Sequence, residues 1–297
     1  MKSLALAALV GVLHVHHAPS HDSDAPFADV LAAADQDGLD FVVMTDHADV
    51  SAPAPLPGVE HAGVRIAPSG RKVLVLVGAE LATADGHLLA LDVVRAVPAL
   101  GRPGRDVIAD VHAQGGFAVV PHPESHGGWH DWDAPFDGLE IQNTASDFRR
   151  LYGPLLPVRL VRFAFDREAV LRELWLRPEA ELARWDALLA AGRRVPAFAG
   201  TDAHQNVSLL GWQLDPYAQQ FRGARMVCPD APLEAHAVWR LLREGACAVR
   251  WAFYEPRAAE AREVRFPSGR VELQLDGGAR LLEVRNPPFE PPLYSPP

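Results

Sequence analysis

The 297-residue chain is 48% hydrophobic and 22% charged, long and apolar enough to bury a full core as one large α/β domain or as a domain with a small addition. Its formal net charge of −10 argues against a nucleic-acid backbone as the main partner, because phosphate binding needs clustered Lys and Arg, and no nucleic-acid partner is expected. A small anionic substrate stays open, since bound cations reverse the local charge.

The opening run "MKSLALAALVGVL" has one lysine and then an apolar stretch, which resembles a secretory signal but is too short to span a bilayer. Cleavage after Ala5 or Ala8 would leave "GVLHVH" intact, so export stays open. An uncleaved first strand in a cytoplasmic protein without stable membrane insertion is the favoured expectation. "LHVHHAPSHDS" follows at Leu13, placing four histidines and an aspartate within nine residues. Phe27, Val30, Leu31 and Ala34 then share one helix face, and Gly38 is placed to end that helix.

Further on, "FVVMTDH" (41–47) and "KVLVLVGAE" (72–80) are β-branched runs, and "HLLALDVV" starts at His87. The helix "RDVIADVHAQGG" leads into "FAVVPHP", and "GLEIQN" starts at Gly138. Residues 144–177, with Arg149, Arg150, Arg159 and Arg162 among aromatics, read as an insertion that roofs a pocket. An amphipathic helix, "PEAELARWDALLAAGRR", precedes "VPAFAGTDAH" (195–204).

The character changes from about Arg222. A helix ("LEAHAVWRLLREG"), the run "ACAVRWAF" and hairpin strands around Ser-Gly and Asp-Gly-Gly turns precede a proline-rich end, and no repeat of fixed period is seen. Residues 1–221 are read as the main domain and 222–297 as a small β-rich extension. Cys228 and Cys247 lack metal-type spacing and imply no disulfide framework, so two buried or half-buried thiols are expected.

Each apolar run in the first two thirds ends in an imidazole or a carboxylate: His14 and His16, His47, Glu80, His122, then Asp202 and His204. A lone His-x-His pair arises about 0.6 times by chance at this histidine content, so it is weak by itself. Five such strand ends in a row are a stronger signal, because ionisable groups at buried positions are costly unless something neutralises them. Parallel strands in a barrel bring their C-terminal ends to one face, and residues i and i+2 of a strand point the same way.

These motifs resemble the PHP (polymerase and histidinol phosphatase) family of metal-dependent hydrolases, with a likeness to its carbaryl-hydrolase-like branch. "LHVHHAPSHDS", "VVMTDH", "PHP" at 121–123 and "AGTDAH" at 199–204 match its four motifs, and "VGAE" with "GHLLAL" matches its glutamate and later histidine. The resemblance covers about residues 9–210. It implies a distorted (β/α)7 TIM-like barrel and two or three divalent metal ions, zinc, manganese or iron. One metal would sit on His14, His16, Glu80 and Asp202; Glu80 would bridge to a second on His87 and His122; a third would sit on Asp22, His47 and His204. This chain has His17 where the family usually has threonine or serine. His21 rather than Asp22 is the alternative ligand from the "SHDS" loop, and His21 is otherwise a substrate contact.

The resemblance implies a hydrolase, foremost a phosphoesterase acting on a small phosphorylated molecule, with Glu80, Asp202 and His204 at the reacting centre. Paired metals would lower the pKa of a bridging water, so hydroxide exists at neutral pH. Asp46, beside His47, is expected to orient an imidazole. His126 is weighed as substrate-facing against a plain loop role, as is His130. Arg149 and Arg150 are weighed as a phosphate grip against a solvated helix face. Glu140 and Asn143 line the cavity or only hydrogen-bond. His61, His112 and His236 are read as surface groups. A carboxyl-ester or carbamate hydrolase with the same ligands is the alternative, and a non-catalytic metal-loaded binding module the third reading. Oligomeric state is not legible.

Overall fold

The computed structural model describes residues 8–125, 128–148, 156–209 and 211–289. The first elements are β1 (Ala8–Val15), α1 (Phe27–Gln36), β2 (Phe41–Met44), β3 (Gly63–Ile66), β4 (Lys72–Val77), β5 (Ala79–Thr83) and β6 (Gly86–Leu91). After them come α2 (Gly104–Ala113), β7 (Phe117–Val120), β8 (Gly138–Asn143), α3 (Thr144–Phe148), α4 (Leu156–Phe165), α5 (Arg167–Leu174), α6 (Glu179–Ala190) and β9 (Ala197–Ala203). The remaining elements are β10 (Ser208–Leu209), β11 (Trp212–Gln213), α7 (Tyr217–Gly223), β12 (Arg225–Pro229), α8 (Ala235–Arg243), β13 (Ala248–Arg250), β14 (Arg262–Arg265), β15 (Val271–Leu275) and β16 (Arg280–Arg285).

The apolar runs form a mixed sheet whose centre is β1. β1 pairs in parallel with β2 on one side and with β9 on the other, and its first half pairs antiparallel with β12. From β9 the ladder continues through β8 and β7 to β6 and β5, and from β2 through β4 to β3. β2, β4, β7 and β8 are buried along nearly their whole length, as strands covered on both faces must be. Helix α1 buries Val30, Ala33 and Ala34, and the chain leaves it through Gly38 at φ 66°, a conformation glycine adopts without a Cβ penalty. In α6, Leu182, Trp185 and Leu188 face inward, and the Trp185 indole N–H donates to the Val195 carbonyl at 2.7 Å.

The mixed α/β class is as expected, but the strands of the expected distorted (β/α)7 TIM-like barrel do not close into a ring. β4 and β5 are successive strands separated only by Gly78; β4 pairs with β2, β5 pairs antiparallel with β6, and the sheet is open between them. The cause lies in residues 63–91, where four strands follow one another without an α-helix, interrupting the strand–helix alternation that closes a parallel barrel. The stretch read as a β-rich extension supplies β12 to β16, all antiparallel and hydrogen-bonded to the rest through β1. The described parts of the 144–177 stretch carry α3, α4 and α5, and Phe163, Val170, Leu171, Leu174 and Trp175 pack with Phe253 in a small separate core. Among the described residues no helix is long and apolar enough to cross a membrane.

The expectation of two free thiols is also corrected: Cys228 and Cys247 form a disulfide. The register of β12 on β13 pairs Val227 with Ala248, which sets Cys228 directly opposite Cys247, and no periodicity in the sequence announces that pairing. We expect unfolded, unreduced protein to show no titratable thiol. Cys247→Ser is expected to lose about 2–5 kcal/mol of stability in denaturant unfolding, with no change in fold by circular dichroism. Free thiols in the unreduced protein would contradict the pairing.

Candidate metal centre

The strand ends bring the candidate residues together. Three sets of side chains each place one nitrogen or oxygen atom within 4.8 Å of the others: His14, His16, Glu80 and Asp202; Glu80, His87 and His122; and His16, Asp22, His47 and His204. His16 thus joins the third set beside the three residues expected there. Glu80, with a side chain 1% exposed, is common to the first two sets. Its Oε2 lies 3.1 Å from His14 Nε2 and 3.1 Å from His16 Nε2, while its Oε1 lies 2.6 Å from His87 Nδ1 and 3.1 Å from His122 Nε2. The two oxygens of one carboxylate therefore face two different groups of imidazoles. Asp202 Oδ1 is 3.4 Å from His14 Nε2 and 3.5 Å from His16 Nε2, and Asp22 Oδ2 is 2.9 Å from His204 Nε2 and 3.3 Å from His47 Nε2.

Regular strand alternation does not produce this arrangement. His14, His122 and Asp202 have φ of 65°, 30° and 50°, in the left-handed region that costs a non-glycine residue about 1–3 kcal/mol. The register of β1 slips between Leu13 and Val15 against both β2 and β9, so His14 sits in a bulge that turns its side chain toward the cluster. Asp202 lies in the facing irregularity of β9, where Leu13 pairs with Gly200 but Val15 pairs with Ala203.

The imidazoles are held from behind. His14 Nδ1 meets the buried Glu140 carboxylate at 2.8 Å, His16 Nδ1 meets Ser20 Oγ at 3.0 Å, His122 Nδ1 meets Ser125 Oγ at 3.1 Å, and the His204 ring donates from Nδ1 to the Asp202 carbonyl at 2.7 Å. Each contact fixes the ring so that Nε2 is the atom turned to the cluster. Glu140 also accepts the His122 backbone N–H at 3.0 Å and the Asn143 amide at 3.1 Å. It fits because residue 200 is glycine; a Cβ there would collide with the carboxylate. The Ser20 hydroxyl accepts the His47 backbone N–H at 3.0 Å and so joins two motifs.

Burial works against charge on Glu80, Asp202, His14 and His16, and the opposite charges around them overcome it. For Glu80, the charge of His14 and the hydrogen bonds from His122 and His14, with the His16 ring alongside, hold the carboxyl well below its ordinary range. Burial likewise opposes Asp202, which His14 and His16 push down. His14 is carried well above 6.5 by Glu140, Glu80 and Asp202, and His16 rises to about 9 through Asp202 and Glu80. The donor set fits divalent cations of borderline character, which take imidazole and carboxylate together. The direct pairing of these groups is imperfect: His16 Nε2, His204 Nε2 and Asp22 Oδ1 are buried and lack a hydrogen bond of acceptable direction. Atoms crowded near one another without bonding one another suit ligands arranged around a cation.

The other sequence candidates fall as follows. Asp22 is in the third set, whereas the His21 side chain is 63% exposed, 3.6 Å from Asp49, and belongs to none of the three. Asp46 is buried and orients an imidazole, but that of His17: its carboxylate accepts the His17 backbone N–H at 2.7 Å and faces His17 Nδ1 at 2.8 Å. His126, Arg149 and Arg150 lie outside the described residues. His112 pairs with Asp137 at 2.7 Å, and His236 is exposed. Sequence reasoning missed the support given by Ser20 and Ser125; the available signal was a hydroxyl three or four residues after a candidate ligand.

These features define an α/β protein with a buried multi-imidazole, multi-carboxylate centre at its strand ends. No protein-family model matches the chain. An uncharacterized protein of Methanocaldococcus jannaschii is 29% identical over 118 residues, which is 38% of this chain and 64% of that relative, so the match spans less than two thirds of its length. Among solved structures, the chain is similar to a two-domain protein of Bacteroides vulgatus containing a predicted PHP-like metal-dependent phosphoesterase (16% identity, 91% of this chain and 77% of that chain, TM-score 0.49). It is also similar to Endonuclease Q in complex with a duplex carrying an abasic lesion (13% identity, 81% of this chain and 56% of that chain, TM-score 0.42). At these identities and TM-scores, neither likeness says what this chain acts on.

Two outcomes follow from the geometry. Removing the support of His14 by Glu140→Gln is expected to weaken divalent-metal affinity about 10–100-fold in a competition titration with a chromogenic chelator. In metal-stripped protein, the His16 pKa is raised when folded. Its stabilising contribution is therefore complete below its ordinary 6.5 and is lost as pH rises toward 9. Thermal melts across that window should fall with rising pH, while melts of the zinc- or manganese-loaded protein should not, because metal competes better as the protons leave.

Proposed function

We propose that this chain is a metal-dependent hydrolase of the PHP type, acting on small phosphoric esters. The observation that carries the reading is Glu80, buried and reaching two groups of imidazoles with its two oxygens. In this reading His14, His16, Glu80 and Asp202 hold one cation, Glu80, His87 and His122 a second, and Asp22, His47 and His204 a third. Bound divalent cations supply Lewis acidity toward an ester oxygen and make water a better nucleophile near neutral pH. The protein's own contribution is orientation and charge. Glu140, Ser20 and Ser125 fix the ring planes, and Asp202, Glu80 and His204 surround the reacting centre. The left-handed bulges at His14 and Asp202 aim side chains from β1 and β9 into one space. The motif likeness extends over about residues 9–210, which we take as the catalytic unit, with the strands after about residue 222 as its extension. The Cys228–Cys247 bond favours an exported protein over a cytoplasmic one, because disulfides persist in oxidising compartments.

The test is hydrolysis of para-nitrophenyl phosphate, bis-para-nitrophenyl phosphate and para-nitrophenyl acetate by protein loaded with manganese or zinc. Turnover of a phosphate, reduced on the order of 100-fold or more in His14→Ala and in Asp202→Ala, is the expected result. Turnover of the acetate alone would replace the phosphoesterase with a carboxyl-ester or carbamate hydrolase. Stoichiometric metal binding without turnover of any of the three would leave a binding module.

A further inference from the structure

Beside the metal centre lies a cavity of about 280 Å³, lined by His122, Glu140, Gln142, Asn143, Ser146 and Glu181 among others. His122 and Glu140 belong to both the cavity and the centre, so a molecule reacting at the centre extends its other end here. The volume lies just under the roughly 300–1,000 Å³ of ordinary ligand sites, which limits that end to a small fragment.

The lining shows what it would accept. Its carboxylates are already engaged: Glu140 by His14, His122 and Asn143, Glu124 by Arg184 at 3.4 Å, and Asp147 by Gln142. Glu181 also has a partner. The groups left over are neutral. Gln142, on β8 and 2% exposed, gives its amide nitrogen to Asp147, and its Oε1 is buried without a partner. Because a carboxylate only accepts, this contact fixes the amide with its oxygen on the other side. The Ser146 hydroxyl, on α3, is likewise buried and unpartnered. An acceptor and a hydroxyl without partners in a buried wall cost about 1–3 kcal/mol each unless a ligand satisfies them. Among the described residues no lysine or arginine lines the cavity, so an anionic fragment would find no cationic side chain there and would face the carboxylates of Glu124, Glu140, Asp147 and Glu181.

We infer that this cavity is the subsite for the alcohol portion of the substrate and that it selects a small, uncharged, hydroxyl-rich fragment, bound through Gln142 Oε1 and Ser146 Oγ. This assignment rests on the hydrolase reading. It goes further by naming the leaving alcohol as a polyol rather than an acid, an amine or an alkyl chain.

The test compares kcat/KM of the metal-loaded protein for four phosphomonoesters of similar size: glycerol phosphate, phosphoethanolamine, phosphoglycolate and butyl phosphate. Preference for glycerol phosphate, with its ratio over butyl phosphate reduced on the order of tenfold in Gln142→Leu and lowered in Ser146→Ala, is the expected result. Equal rates for all four, a preference for any of the other three, or a ratio unchanged in both variants would overturn it. Should none of the four, nor any para-nitrophenyl ester, be hydrolysed, the hydrolase reading fails, and the subsite is then read by calorimetry with erythritol and butane-1,4-diol. Tighter binding of erythritol, lost in Gln142→Leu, would uphold the polyol subsite, and equal or weaker binding would overturn it.

Discussion

The centre of this molecule is organised around one buried carboxylate. Glu80 stands among five imidazoles, those of His14, His16, His47, His87 and His122, at 2.6–3.6 Å. Protein interiors seldom hold such a density of ionisable groups, because desolvating each costs several kcal/mol and mutual attraction repays that only with good geometry. Buried Asp202 and the more exposed Asp22 add negative charge beside the imidazoles, and Glu140 adds it from behind His14. The arrangement makes physical sense as a ligand cage, in which cations replace protons as the neutralising charge.

The surrounding fold holds that cage in place. The left-handed residues His14, His122 and Asp202 persist because neighbouring strands over-determine them. The Thr201 hydroxyl donates to the His14 carbonyl at 2.8 Å, and the Tyr217 hydroxyl donates to the His16 carbonyl at 2.5 Å. The C-terminal strands contribute at longer range. β12 pairs along the first half of β1, and Arg177, just before α6, forms a two-pronged ion pair with Glu272 of β15, at 2.5 and 2.7 Å. Since Pro178 and Glu181 line the cavity beside the centre, this pair links the late hairpins to the cavity wall.

Much of this was legible in the residues and some was not. Hydrophobic runs ending in His, Asp or Glu located the strand ends, since apolar periodicity and chemistry-bearing termini are both local signals. All nine candidate ligands, His14, His16, Asp22, His47, Glu80, His87, His122, Asp202 and His204, come together in three overlapping sets. The route was read too simply: alternation suggested that His14 with His16 and Asp202 with His204 share a face, whereas backbone bulges deliver them. A bulge depends on how two strands register, which one strand's sequence does not encode. The open sheet and the Cys228–Cys247 pair were hidden for the same reason, each being set by pairing between distant segments. Glu140 was read either as lining the cavity or as hydrogen-bonding, and it does both. Its dependence on Gly200 is a packing relation visible only in three dimensions.

The central claim is that the clustered side chains hold divalent cations, and metal content tests it most directly. Elemental analysis of the intact chain, purified without chelator and then dialysed against zinc or manganese, should find about two to three equivalents per chain, dropping to about one or fewer in Glu80→Gln. A folded chain that carries no divalent metal as isolated and takes up none on dialysis would contradict the account.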